Sequence, residues 1–144
     1  MIYLGCDHGG FALKEAIRAH LQKQGVAFTD CGNTVYDSGD NFPDFVEPVV
    51  QGVRADQANR GILICGTGIG VSIAANHHQG IRAALAHNVD YARLARQHNN
   101  ANVLCLGGRF IDQAVALTMV DIFLKTAFDT NPKYLRRMQA ACKE

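Results

Sequence analysis

Short apolar runs alternate with longer stretches of helical period from one end of this chain to the other. "IYLGC" (2–6) reads as a buried strand. The following "FALKEAIRAHLQKQG" (11–25) puts Leu13, Ala16, Ile17 and Leu21 on one helical face, with Gly25 placed to close it. "VAFTDCG" (26–32) predicts a second strand. "DNFPDFVEPVVQGVRA" (40–55) predicts a helix with Pro43 near its start and Pro48 disturbing its middle.

"GILIC" (61–65) predicts a third strand, and "GVSIAANHH" (70–78) a helix directly after a run of glycines. "IRAALA" (81–86) is a fourth strand, and "NVDYARLARQH" (88–98) a helix capped by Asn88. "NVLCLG" (102–107) is a fifth strand, followed by "DQAVALTMVDIFLKTAF" (112–128), a long helix capped by Asp112. The last helix, "PKYLRRMQAACKE", carries Pro132 in its first turn and its body covers about 132–142. Repeated strand–helix units of this length predict an α/β fold: a five-stranded parallel sheet with helices on both faces, in three layers. No repeat, linker or low-complexity run divides the chain, so residues 1–144 are expected to form a single domain.

Composition narrows the function classes. Hydrophobic residues make up 48% and charged residues 19% of the 144, as in ordinary soluble domains. A net charge of +1 gives no electrostatic footprint for nucleic acid or an anionic membrane. No apolar run approaches the roughly 20 residues a bilayer requires. The opening "MIYLGCDHGG" lacks the pattern of a signal peptide, and a cytoplasmic protein is expected. Five widely spaced cysteines without a Cys-x-x-Cys pair predict reduced thiols rather than a disulfide framework or a zinc site. His77 and His78 have no third ligand at metal-site spacing and read as surface, so no metal is expected.

Ligands of open parallel sheets sit beyond the carboxyl ends of the strands. Those ends here are "CDHGG", "CGTGIG", "AHN" and "GGR", so polar residues and glycines gather where the architecture places a site. "GTGIG" (Gly66, Thr67, Gly68, Ile69, Gly70) departs from the dinucleotide fingerprint, whose third place is Val71 here. Successive amides of such a turn suit a phosphate or a developing oxyanion, although a tight turn alone also explains the glycines. Cys65 stands at its mouth, where a helix N-terminus favours a thiolate; the plainer reading is a packed core residue. Asp7 and His8 are candidate substrate contacts, with a helix cap as the alternative for Asp7. His98 and Asn99 stand where the fourth helix passes into the fifth strand, and an exposed histidine there is the plainer reading. Arg109 and the basic run Lys133–Arg137 are candidate phosphate contacts or a solvated face.

"GCDHGGFALK", "GILICGTGIGVSIAAN", "GIRAAL", "ARLARQHNNANVLCLGGR" and "VDIFL", in this order, resemble the type B ribose-5-phosphate isomerases over residues 2 to about 138. The resemblance implies a Rossmann-like fold, a homodimer or dimer of dimers with sites at the subunit interface, and no cofactor. It implies interconversion of ribose 5-phosphate and ribulose 5-phosphate through a cis-enediol(ate). Cys65 matches the family's base, and His98 its ring-opening histidine. Asp7, His8, Gly66–Gly70, Asn99 and Arg109 match substrate contacts. Two departures bear on the substrate. The family's Asp-Tyr-Pro appears as Asn41-Phe42-Pro43, losing a carboxylate and a phenol. Its Arg-His-x-Arg-Arg appears as Lys133-Tyr134-Leu135-Arg136-Arg137, in which Lys133 matches the first arginine and Arg136 or Arg137 the last phosphate ligand. The rivals are the same chemistry on allose 6-phosphate or galactose 6-phosphate, and a non-catalytic sugar-phosphate-binding module.

Overall fold

The computed structural model describes residues 1–142. Five parallel strands form one sheet: β1 (Ile2–Cys6), β2 (Phe28–Asp30), β3 (Arg60–Cys65), β4 (Ala83–Leu85) and β5 (Val103–Gly107), in the order β2-β1-β3-β5-β4. The helices are α1 (Phe11–Lys23), α2 (Pro43–Arg54), α3 (Ile69–Asn76), α4 (Val89–Asn99), α5 (Gln113–Lys125) and α6 (Pro132–Ala141). This is the three-layer arrangement that the alternation predicts, and the Rossmann-like fold that the resemblance implies.

Strand periodicity divides the core in two. On β3 and β5, Ile62, Ile64, Leu104 and Leu106 pack with Leu13, Ile17 and Leu21 of α1 and with Met119, Val120 and Phe123 of α5. The alternate residues Leu63, Cys65, Val103 and Cys105 face the other way, against Val46, Val49, Val50 and Val53 of α2 and Val71 and Ala75 of α3. The central strands are buried on both faces, which explains their unbroken apolar runs.

Local chemistry sets the ends of these elements. Asn88 and Asp112 accept the amides of Tyr91 and Val115 at the starts of α4 and α5. Gly25 takes a φ of +69° just after α1. Helix α2 runs through Pro48, which stands on its exposed side.

Several expected elements are shorter; β4, for one, covers Ala83–Leu85 rather than 81–86. β2 covers Phe28–Asp30 rather than 26–32 because it pairs only with β1 before the chain bends at Gly32, whose φ is +101°. Irregular bonds, such as Cys31 N–H to Leu4 O and Asn33 N–H to Cys6 O, continue the edge. Helix α5 ends at Lys125 rather than Phe128, because Thr126 is extended and its carbonyl accepts from Arg96 Nε. Helix α6 buries no residue. Among the described residues, no helix is long and apolar enough to cross a membrane.

Candidate active site

The strand order reverses direction between β1 and β3, which is where open α/β sheets hold ligands. Registers Cys6↔Ile64 and Cys65↔Gly107 bring three strand ends side by side. The loops beyond them are stitched together: Asp7 N–H donates to Ile64 O, Gly108 N–H to Cys65 O (2.8 Å), and Arg109 N–H to Gly66 O (3.1 Å). Glycine permits this closeness. A methyl group on Gly9 would lie 2.8 Å from Gly66 N, and one on Gly107 2.6 Å from Thr67 O.

Cys65 ends β3 at 5% exposure, close to the surface of the second core face but within it. Its Sγ accepts the amide N–H of Gly68 at 3.1 Å. Gly68 presents that amide because its φ is +79°, a conformation side chains disfavour. Ile69 N–H donates to Thr67 Oγ1, and α3 starts there. The Arg109 side chain lies over Gly66, and the Phe42 ring lies over Gly70. Two other buried thiols are held neutral: desolvation pushes Cys6 up to about 12 and lifts Cys105 higher still, with the neighbouring Cys65 adding to the second shift.

Asp7 and His8 occupy the β1 side. Asp7 caps a short 3₁₀ turn (His8–Gly10) by accepting from Gly10 N–H, which is the cap that the sequence offered as its alternative role. His8 is held by a residue the sequence did not single out. Asp40 Oδ1 lies 2.7 Å from His8 Nδ1 and also accepts the His8 backbone N–H, while Oδ2 accepts from the Asn33 amide. Burial raises the Asp40 carboxyl, but these hydrogen bonds outweigh it and hold the group below its ordinary value. Asp40 stands beside Asn41, the position where the expected carboxylate is missing. Its loop, "YDSGDN", has no periodicity that would flag it. Asp7, His8 and Asp40 each offer a ligand atom within 4.8 Å of the others; in this arrangement those atoms bond to one another and to nearby amides.

His98 is not in this cluster. It lies in the last turn of α4, because the helix runs on to Asn99 and ends at Asn100, whose φ is +46°. Helices here run antiparallel to the strands, so α4 ends at the amino edge of the sheet, before Val103. Cys65 lies level with Gly107 at the opposite edge, four residues or about 13 Å along β5. Around His98 are Tyr134, stacked on it at 4.4 Å with its Oη 3.0 Å from Nε2, and Lys133 and Arg137, which flank the tyrosine. Asn99 is exposed beside them. Of the expected residues, then, Cys65, Gly66–Gly70, Asp7, His8 and Arg109 converge at one edge. His98, Asn99, Lys133 and Arg137 gather at the other.

A groove of about 1060 Å³ adjoins this second group, lined by Ile81, Leu85, Tyr91, Leu94, His98 and Met138 among others. His77 is exposed as expected, and His78 is half-buried with Nε2 3.4 Å from a Glu47 carboxylate oxygen.

The family model described as ribose/galactose isomerase matches residues 2–141. Ribose-5-phosphate isomerase B of Mycolicibacterium paratuberculosis is 44% identical over 95% of this chain and 86% of its own length. The enzyme of that name from Escherichia coli is 40% identical over 96% of this chain and 92% of its own. Among solved structures, a ribose 5-phosphate isomerase from Thermotoga maritima superposes with a TM-score of 0.94 at 44% identity, covering 99% of this chain and 97% of that one. The Mycoplasma genitalium ribose-5-phosphate isomerase B with bound ribulose-5-phosphate also gives 0.94, at 40% identity over 99% and 93% of the two chains. With the glycine turn, the strand-end cysteine and the sheet order all in place, the chain belongs to the ribose/galactose isomerase family.

Proposed function

We propose that this chain interconverts D-ribose 5-phosphate and D-ribulose 5-phosphate, with Cys65 as the base and His98 opening the sugar ring. The observation that carries the reading is the Cys65 sulfur, hydrogen-bonded by the Gly68 amide at the carboxyl edge of the switch point. The family and the names of its relatives supply the substrate.

The Cys65 thiolate removes the proton from C2 of the open-chain aldose, and the electron pair forms a cis-enediolate. The resulting thiol returns a proton to C1, while the hydroxyl proton passes from O2 to O1. Negative charge on oxygen falls against amides of the Gly66–Gly70 turn other than those of Gly68 and Ile69, which Cys65 and Thr67 occupy, each worth about 3 kcal/mol when well placed. Asp7 and His8 hold sugar hydroxyls, with Asp40 fixing the imidazole of His8. Arg109, Lys133 and Arg137 hold the phosphate, whose binding energy keeps the reacting carbons in place.

The two halves of this site lie on opposite edges of one chain, so a complete site takes two copies. Ile69, Ile73 and Tyr91 expose 51%, 56% and 56% of their surface on α3 and α4, next to the two halves. Pairing across this apolar surface and the adjoining groove brings the Cys65 half of one copy to His98 of the other.

The test is isomerisation of ribose 5-phosphate in deuterium oxide. The wild-type protein is expected to give ribulose 5-phosphate carrying deuterium at C1, and Cys65→Ala to give neither product nor label. Undiminished turnover by that variant removes Cys65 from the reaction.

A further inference from the structure

Tyr134 replaces a histidine in the resembling motif, and nothing in the reading above uses it. It is nevertheless the hub of the second half-site. Its ring lies parallel to His98, with 12° between the planes and 4.4 Å between centroids, and its Oη lies 3.0 Å from His98 Nε2. Lys133 Nζ is 4.8 Å and Arg137 Cζ 5.8 Å from the same ring. Among the described residues His98 Nδ1 makes no hydrogen bond, so only one ring nitrogen is engaged by the protein.

We propose that Tyr134 is the positioning residue of the ring-opening step: its ring, stacked on His98 with Oη over Nε2, fixes the imidazole plane so that Nδ1, which the protein leaves unbonded, faces the sugar. This rests on the assignment of ring opening to His98. In the step, Nδ1 takes the proton of the anomeric O1–H. The O1 electrons form the C1=O1 bond, and the C1–O4 bond breaks with its pair going to O4. Nδ1 then returns the proton to O4, so the imidazole ends as it began. While the imidazole carries the extra proton, its charge lies against the electron-rich face of the phenol and beside Oη. The same phenol ring seats two cations, which ties the orientation of the imidazole to the residues that hold the phosphate.

Ring opening can be watched alone. In a Cys65→Ala background isomerisation stops, but ring opening and closing still interconvert the α and β anomers of ribose 5-phosphate. That interconversion is measured by NMR exchange between anomeric signals of the substrate labelled with ¹³C at C1. We expect Cys65→Ala to accelerate it over buffer, and Cys65→Ala/His98→Asn to lose the acceleration. Adding Tyr134→Phe instead should lower it about tenfold, through loss of the Oη contact with Nε2, with the dissociation constant of ribose 5-phosphate unchanged. Tyr134→Leu, which also removes the stack and the cation seat, should weaken binding as well. Helix α6 buries no residue, so both variants fold, as circular dichroism will register. If His98→Asn removes the acceleration while Tyr134→Phe leaves it intact, the role of Tyr134 is overturned and that of His98 stands. If His98→Asn changes nothing, or Cys65→Ala gives no acceleration, the ring-opening assignment fails and the proposal falls with it.

Discussion

Two variants that are inactive alone should restore activity when they share an oligomer. Cys65→Ala destroys the half-site at the carboxyl edge and keeps His98; His98→Asn does the reverse. On the proposed assignment, the separation of about 13 Å along β5, with the sheet between, keeps one chain from completing its own site. In a symmetric pair each site takes Cys65 from one copy and His98 from the other. Random pairing of equal amounts makes about half of the pairs mixed, and each mixed pair contains one intact site and one doubly damaged site. The expected activity is therefore about one quarter of wild type per site. The assay is co-expression with two different tags, two-step purification to isolate the mixed oligomer, and turnover of ribose 5-phosphate. The purified mixed form should reach about half of wild type, with each parent near background. A mixed oligomer no better than its parents refutes the two-chain site, since every chain in it carries a lesion.

Gly68→Ala should lower stability by about 2 kcal/mol, from the left-handed backbone and a Cβ 2.6 Å from Leu85 Cδ1. It should also cut kcat more than tenfold by moving the amide off Cys65; urea melts and steady-state kinetics check both, and a wild-type kcat would leave that amide without a role. Lys14 is fully buried with both carboxylate oxygens of Asp30 within 2.8 Å, so Lys14→Met should cost about 3 kcal/mol and lower the urea midpoint by about 1–2 M. The double change Lys14→Met with Asp30→Leu should recover much of that loss. Asp40, held below its ordinary 3.8, contributes stability that is fully present above that value and disappears as pH falls through the lowered one. Asp40→Asn should flatten the loss of stability as pH falls below 3.8, measured as urea midpoints.

Much of this molecule was legible along the chain. Strand periodicity, helix faces and caps are interactions between near neighbours, so Asn88, Asp112, Gly25 and Pro132 mark their element ends wherever the helices finally pack. The strand-end glycines and Cys65 were visible for the same reason: a turn between strand and helix is a local object. Placement across the sheet was decided only in three dimensions. The order β2-β1-β3-β5-β4 comes from how the crossovers stack their apolar faces, a sum over distant contacts that no short stretch contains. That order brings Asp40 to His8 over 32 positions and Tyr134 to His98 over 36. It also sends His98 to the edge away from Cys65. Both residues were named in the sequence, but each element has two ends and a motif does not say which end its partner occupies. Parallel strands with returning helices put the end of each crossover helix at the amino edge, and so part the two chemical groups within one chain.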